Sequence, residues 1–373
     1  MNFTTTKSNL LHAVQTVYRT SQAKATLPIL GSILFKLQAE ELTATSTDLE
    51  LTLQCKTGVE AVREGAVCLP ARQIMDVTRC LPDTVIRMES EETTSSVKIL
   101  YDDSQINLKG YPPDQFPALP EVAEQSSFAV AQGLLKEMIR QTIYAVSQDK
   151  TRPLFTGVLF EHGEKFRLVA TDTHRLALRE AESAAAADQE DAQKPENVIV
   201  PGSALVELVR IMRGEEETVQ VKTSKSHISF HMKDTLLVSR LITGQFPAYR
   251  QIIPNHFSAR LTMNTQDLNN ALNRAALLIN EEAPVLRFNL EEGQSLISVN
   301  TLSGWIKETL KASYQGEPME IFFNARYLLE TLRVIPGEEV TLNFTSPLSA
   351  AVIQPAGKDD YLALLLPARP KNE

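Results

Sequence analysis

Asp172-Thr173-His174 sets a carboxylate two residues from an imidazole, the spacing in this 373-residue chain best furnished for general-base chemistry. Catalysis would also need a nucleophile or acceptor delivered by the fold, and no G-x-S-x-G, P-loop, G-x-G-x-x-G or H-E-x-x-H pattern is present. His174 therefore reads better as the wall of a binding pocket. Asp172 reads as a turn or strand-end group accepting backbone N–H bonds. No catalytic residue is expected, although an enzyme using Asp172 and His174 stands as the remote alternative. Cys55, Cys68 and Cys80 are odd in number, lack metal-ligand spacing and have apolar neighbours. They read as buried, reduced thiols, with neither disulfide nor zinc, and no metal or cofactor is expected.

A second chemistry lies in the cations. Arg72 and Arg79 are seven residues apart, as are Arg326 and Arg333; Lys136 and Arg140 are four apart, Arg210 and Arg213 three. Each spacing puts both charges on one face of a helix, opposite apolar residues such as Leu328, Leu329 and Leu332. In a single helix such a pair reads as a solvated outer face. Here it recurs in four of six related segments, 7–19, 71–80, 132–143, 203–213, 265–279 and 324–334. Those segments hold eleven Lys or Arg, including Lys7, Arg19 and Arg274, and five Asp or Glu, a net +6 in a chain of net −9. If the segments share one side, the chain has a basic wall and an acidic exterior. Such a wall attracts phosphate without reading bases. Only 6% of residues are aromatic, and aromatic–basic interleaving of the kind that stacks single-stranded bases is lacking, so the expected ligand is duplex backbone, contacted loosely.

The elements that carry these groups repeat. A β stretch, a polar break and a helix-period run recur as FTTTKSNLLHAVQTV from Phe3, FAVAQGLLKEMIRQT from Phe128 and LTMNTQDLNNALNRA from Leu261. A second strand–helix unit recurs from Val67, Val198 and Ile321, with alternating or β-branched strand runs between the units. The pattern implies an α+β fold of three similar domains, each of two β-α-β-β-β units. Pro- and Gly-rich stretches from Gly110 and Gly244, with Phe116-Pro117 and Phe246-Pro247 in matching places, put the domains at 1–125, 126–254 and 255–373. The Ala-rich acidic tract Ala181 to Asn197 reads as a surface loop. No long apolar run or signal-peptide core is present, so a cytoplasmic protein is expected.

TLPILGSILF (Thr26 to Phe35), STDLE (Ser46 to Glu50), LPARQIMDV (Leu69 to Val77), ATDTHRLAL (Ala170 to Leu178), GQFPAYRQIIP (Gly244 to Pro254) and LLPARP (Leu365 to Pro370) occur in this order. With them the chain resembles, along essentially its whole length, the bacterial DNA polymerase III beta subunit, or sliding clamp, family. The resemblance implies a DNA clamp fold with helices lining a central hole and sheets outside. It implies a head-to-tail homodimer that encircles double-stranded DNA and tethers polymerase subunits, the clamp loader and repair proteins through short linear motifs. Carried over residue by residue, the dimer interface is Gln73, Ile106, Leu108, Leu277 and Leu278, although by type its apolar members could equally be core. The peptide pocket is Phe155, Thr171, His174, Arg175, Leu176, Pro247, Ile252, Leu348, Ala350, Leu364, Leu366, Pro367, Ala368 and Arg369. Leu176 and Ile252, taken alone, read first as core. DNA-facing positions are Lys24, Arg72, Gln148, Arg152 and Arg210, joined by the helical cations Arg79, Lys136, Arg140, Arg213, Arg274, Arg326 and Arg333.

The chain departs from the family at three places. It has Leu366-Pro367-Ala368-Arg369 where Met-Pro-Met-Arg is frequent, Pro153-Leu154 in place of an aromatic pair, and an acidic loop at Asn280-Glu281-Glu282-Ala283. The small Ala368 implies a wider or shallower subsite. A protein-interaction scaffold that never touches DNA remains the alternative reading.

Overall fold

The computed structural model describes residues 1–22, 27–91, 93–120, 125–182, 196–279 and 285–369. Lys24, the loop Asn280 to Ala283, most of the Ala-rich tract and residues 370–373 lie outside the described residues. Two compact units are present: Met1–Gln132 with Arg210–Leu241, and Gly133–Val209 with Ile242–Glu373.

Six helices are described, α1 (Lys7–Val17), α2 (Ala71–Cys80), α3 (Gln132–Ile143), α4 (Gly202–Ile211), α5 (Thr265–Ala276) and α6 (Ala325–Leu332). Each follows a strand directly, and short polar side chains start several of them. Thr6 Oγ1 accepts the Asn9 amide at 3.2 Å before α1, and Asn264 Oδ1 accepts that of Asp267 at 3.0 Å before α5. Asn324 Oδ1 accepts those of Arg326 and Tyr327 at 3.0 and 3.3 Å before α6. The helices present apolar faces inward. α2 buries Ala71, Ile74, Met75 and Thr78 and leaves Arg72, Gln73, Asp76 and Arg79 exposed; α6 buries Leu328, Leu329 and Leu332 and leaves Arg326 exposed.

All described strand pairings are antiparallel. In the first unit a five-stranded sheet runs from Glu60–Arg63 through Asn2–Thr6, Val85–Glu91 and Ser96–Tyr101 to Ser104–Lys109. Its eight-stranded sheet joins residues far apart in the chain, because Thr235–Arg240 pairs with Leu51–Gly58, with Leu237 opposite Leu53. In the second unit a nine-stranded sheet is closed in the same way. Arg175–Glu182 pairs with Tyr361–Leu365, with Leu176 opposite Leu364. A four-stranded sheet orders Gly304–Thr309, Leu296–Thr301, Val285–Leu290 and Met319–Asn324. Its core packs Phe288 edge-on to Phe323 at 5.6 Å beneath α5 and α6.

Three cations read as helical, Arg19, Arg213 and Arg333, lie just beyond the ends of α1, α4 and α6. Arg213 lies beyond α4 because its amide donates to Gln132 Oε1 at 3.1 Å, which turns the chain out of the helix. Cys80, expected to be buried, is exposed at the end of α2, whereas Cys55 and Cys68 are fully buried. Burial raises those two thiols to about 11 and about 12. No described helix is long and apolar enough to cross a membrane.

Candidate functional site

The densest polar site is the turn Thr171–Arg175 between strands Lys165–Thr171 and Arg175–Glu182. Thr171 Oγ1 donates to the Arg175 carbonyl at 2.6 Å and accepts the Thr173 amide at 3.2 Å. Asp172 Oδ1 accepts the amides of His174 and Arg175 at 2.9 and 3.0 Å. The turn forces Thr173 to φ +77°, a conformation costly for a β-branched residue. Asp172 thus fills the turn role read from sequence. Both its oxygens are engaged, since Oδ2 accepts Arg175 Nε at 2.9 Å, and the His174 ring instead stacks on Tyr327 at 6.1 Å. That is no general-base geometry.

Arg175 is 7% exposed, and each of its three guanidinium nitrogens has an acceptor. Besides Asp172, it donates to Glu330 Oε2 and to the Tyr144 carbonyl, each at 2.5 Å, and lies 4.4 Å from the Tyr327 ring centroid. Burial pushes the Glu330 carboxyl up, but hydrogen bonds from Arg326 and Arg175 outweigh it and hold the group below its ordinary value. Arg175 is therefore a strut inside the wall rather than a free ligand-binding cation. Tyr327, Tyr144 and Glu330, which complete this clamp, escape sequence reading. The available signal was Tyr327 three residues before Glu330 on the polar side of α6.

A cleft of about 810 Å³ opens beside the clamp. Its walls bring together Phe155, His174 and Arg175, read as peptide-binding, with Gln148, Arg152, Arg326 and Arg333, read as DNA-facing. Leu176 and Leu364 lie instead in a buried cluster with Leu159, Val169, Ile199 and Tyr249, against which Ala350 packs. Thr171 is also buried, at 6% exposure. Pro247 lines a separate cavity of about 520 Å³ with Phe246, Tyr249 and Glu161. The Tyr249 hydroxyl is pushed up by burial and by its 2.6 Å bond to Glu161. Ile252, Leu348 and Leu366 are exposed apolar side chains on neither cavity wall. Leu366 and Ala368 are pinned through their amides to the carbonyls of His174 and Phe322 at 2.9 and 2.8 Å, which fixes the course of the tail through Pro367 toward Arg369.

The basic residues divide by partner. Arg79, Arg140, Arg152 and Arg333 are exposed, and Arg72 is exposed with Asp76 3.8 Å away. Lys136 is half-buried on α3. Arg274 is held bidentately by Glu308 at 2.7 and 2.8 Å, and Arg326 by Glu330 at 2.9 Å. Arg210 donates to the Thr16 carbonyl at 2.9 Å. Arg213 Nη1 lies 2.6 Å from His12 Nδ1, and Asp234 Oδ2 lies 2.6 Å from Nε2. Because a guanidinium only donates, Nδ1 is bare and Nε2 carries the proton offered to Asp234. The ligand atoms of His12, Cys55 and Asp234 fall within 4.8 Å of one another, but the Cys55 thiol, pushed up to about 11 by burial, would have to give up its proton to hold a cation.

Of the residues read as interface, Gln73 is exposed on α2 and Ile106 and Leu108 are half-buried on the terminal strand Ser104–Lys109. Leu277 is 83% exposed past α5, whereas Leu278 packs against the core.

Known proteins match the chain throughout. Family models described as the N-terminal, central and C-terminal domains of the DNA polymerase III beta subunit match residues 1–120, 129–248 and 250–369. A Vibrio cholerae protein named beta sliding clamp is 31% identical over 372 residues, covering 99% of this chain and 100% of the relative. The DNA polymerase sliding clamp of Bacillus subtilis superposes with a TM-score of 0.94 at 29% identity, covering 99% of both chains. The DNA polymerase III subunit beta of Pseudomonas aeruginosa gives 0.94 at 30%, covering 99% of this chain and 100% of that one.

Proposed function

Because the chain belongs to the DNA polymerase III beta subunit family and has its DNA clamp fold, we propose that two copies close head to tail into a ring around duplex DNA. The function is that of a sliding clamp, a non-enzymatic accessory subunit that gives a DNA polymerase its processivity. The observation that carries the reading is end-to-end coverage by three consecutive domain models of one family. The domains are set at 1–125, 126–254 and 255–373.

A ring holds DNA by topology, so its wall needs only loose attraction to phosphate, and strong base contacts would stop it sliding. The exposed cations Arg72, Arg79, Arg140, Arg152 and Arg333 suit that role. Arg274 and Arg326, neutralised by Glu308 and Glu330, contribute less. Polymerase subunits and the clamp loader dock short linear motifs on the face that carries His174, Pro247, Ile252, Leu348 and Leu366, in the cytoplasm. The exposed apolar side chains of Ile252, Leu348 and Leu366, and a cleft whose polar walls are fixed around His174, favour an extended peptide. The copies meet through Gln73, Ile106 and Leu108 of one and Leu277 and Leu278 of the next, a heterologous contact that closes after two.

Sedimentation of the full chain tests the ring. A particle of twice the 41.4 kDa chain mass is expected at micromolar concentration, and a monomer at every concentration contradicts it.

A further inference from the structure

Trp305, the chain's one tryptophan, stands 74% exposed on strand Gly304–Thr309. That strand ends the four-stranded sheet and pairs on one side only, with Leu296–Thr301. Alternation turns Trp305, Lys307 and Thr309 outward and Ile306 and Glu308 inward, where Ile306 packs on the core and Glu308 holds Arg274. The preceding turn lifts Leu302 to 106% exposure, and Leu277, just past the end of the α5 helix that packs along this strand, is 83% exposed. Three of the four most exposed large apolar side chains among the described residues thus belong to one open sheet edge and its helix. Single exposed leucines need no explanation, but an aromatic and two leucines on a strand edge open on one side and on its flanking turn and helix mark a docking edge.

We infer that Trp305 is the aromatic anchor of the contact with a second copy of this chain, and that this contact is apolar rather than ionic. The inference rests on the homodimer proposed above and names what holds it together. The receiving edge is Ser104–Lys109, likewise paired on one side only, with Ile106 and Leu108 alternating with polar residues. Charge supports an apolar contact. The two strands carry Lys109 and Lys307, which repel, and Glu308 is already taken by Arg274. Within the strands themselves no opposite charges are free to pair, Asp102 and Asp103 lying in the turn before Ser104, so attraction along the strands must come from buried surface. A tryptophan contributes more of that than any other side chain, which is why it dominates interface hot spots. Added salt screens only the lysine repulsion, so it does not weaken this dimer.

The 373-residue chain, diluted from micromolar to nanomolar, is followed by sedimentation and by tryptophan emission at low and high salt, beside Trp305→Ala and Trp305→Phe, which lack the fluorophore and are followed by sedimentation. Circular dichroism checks that the variants fold. The dimer is expected to emit at shorter wavelength than the monomer, with a dissociation constant that salt does not raise. Trp305→Ala should raise that constant at least about tenfold, and Trp305→Phe should restore part of the loss. A wild-type dimer whose indole emits as if solvated, whose constant Trp305→Ala moves less than about twofold, or which salt dissociates, overturns the anchor and leaves the homodimer standing. A wild-type chain that is monomeric throughout overturns both.

Discussion

Thr173 and Arg175 show how much of the proposed docking face is decided by single residues. Thr173 occupies φ +77° because Thr171 and Asp172 capture the surrounding amides. Thr173→Gly should relieve that strain and stabilise the protein by about 1 kcal/mol, read as a higher urea midpoint. Asp172→Ala leaves two amides and the buried Arg175 without their acceptor, and should cost about 3 kcal/mol in the same assay. Glu330 gives the pH dependence. Its folded value lies below the ordinary 4.5, so its contribution is complete above 4.5 and is lost as pH falls through the lower folded value. Urea midpoints measured downward from about pH 6 should fall more steeply for the wild type than for Glu330→Gln. The turn role of Asp172 was legible, because aspartate before a strand has few other ways to satisfy its neighbours. The Tyr327–Arg175–Glu330 clamp was not, because Arg175 lies 155 residues from Glu330 and meets α6 only through the fold.

At the scale of elements, the helices and their exposed cations were legible from apolar periodicity, and the strand–helix junctions from short polar caps. Periodicity says less about where a helix stops, and Arg213 leaves α4 through a hydrogen bond to Gln132 that no local pattern signals. The shared sheets were equally hidden. The pairing of Leu237 with Leu53, like that of Leu176 with Leu364, is a register between distant strands whose compositions resemble every other strand here. The strands entering both junctions begin with the same Thr-Asp turn: Asp48 Oδ1 takes the amides of Glu50 and Leu51, with Leu49 at φ +78°, as Asp172 does with Thr173 at φ +77°. Duplication was read from segments around the helices, yet these turns record it as well. Two tests belong to this scale. Leu328→Ala, emptying a fully buried site under α6, should cost about 2–5 kcal/mol in denaturant unfolding. Arg79→Ala with Arg140→Ala should weaken binding to duplex DNA and lower its salt slope by roughly one for each phosphate no longer neutralised, whereas Arg274→Ala, already neutralised by Glu308, should change the slope little.

At the scale of the whole molecule, a chain of net −9 that works on DNA is reconciled by where its charge lies, with eleven basic against five acidic residues in the six helical segments read from the sequence. Total charge would have argued against nucleic acid, and only the repeat-by-repeat count exposed the asymmetry. An enclosing ring needs no tight affinity, and so its decisive test is topological. The chain is loaded by a clamp loader onto nicked circular duplex, and retention is measured before and after a single cut linearises the circle, at salt high enough to suppress electrostatic binding. Retention on the circle and rapid loss from the cut DNA is the expected result; equal retention on both, or none on either, would contradict enclosure.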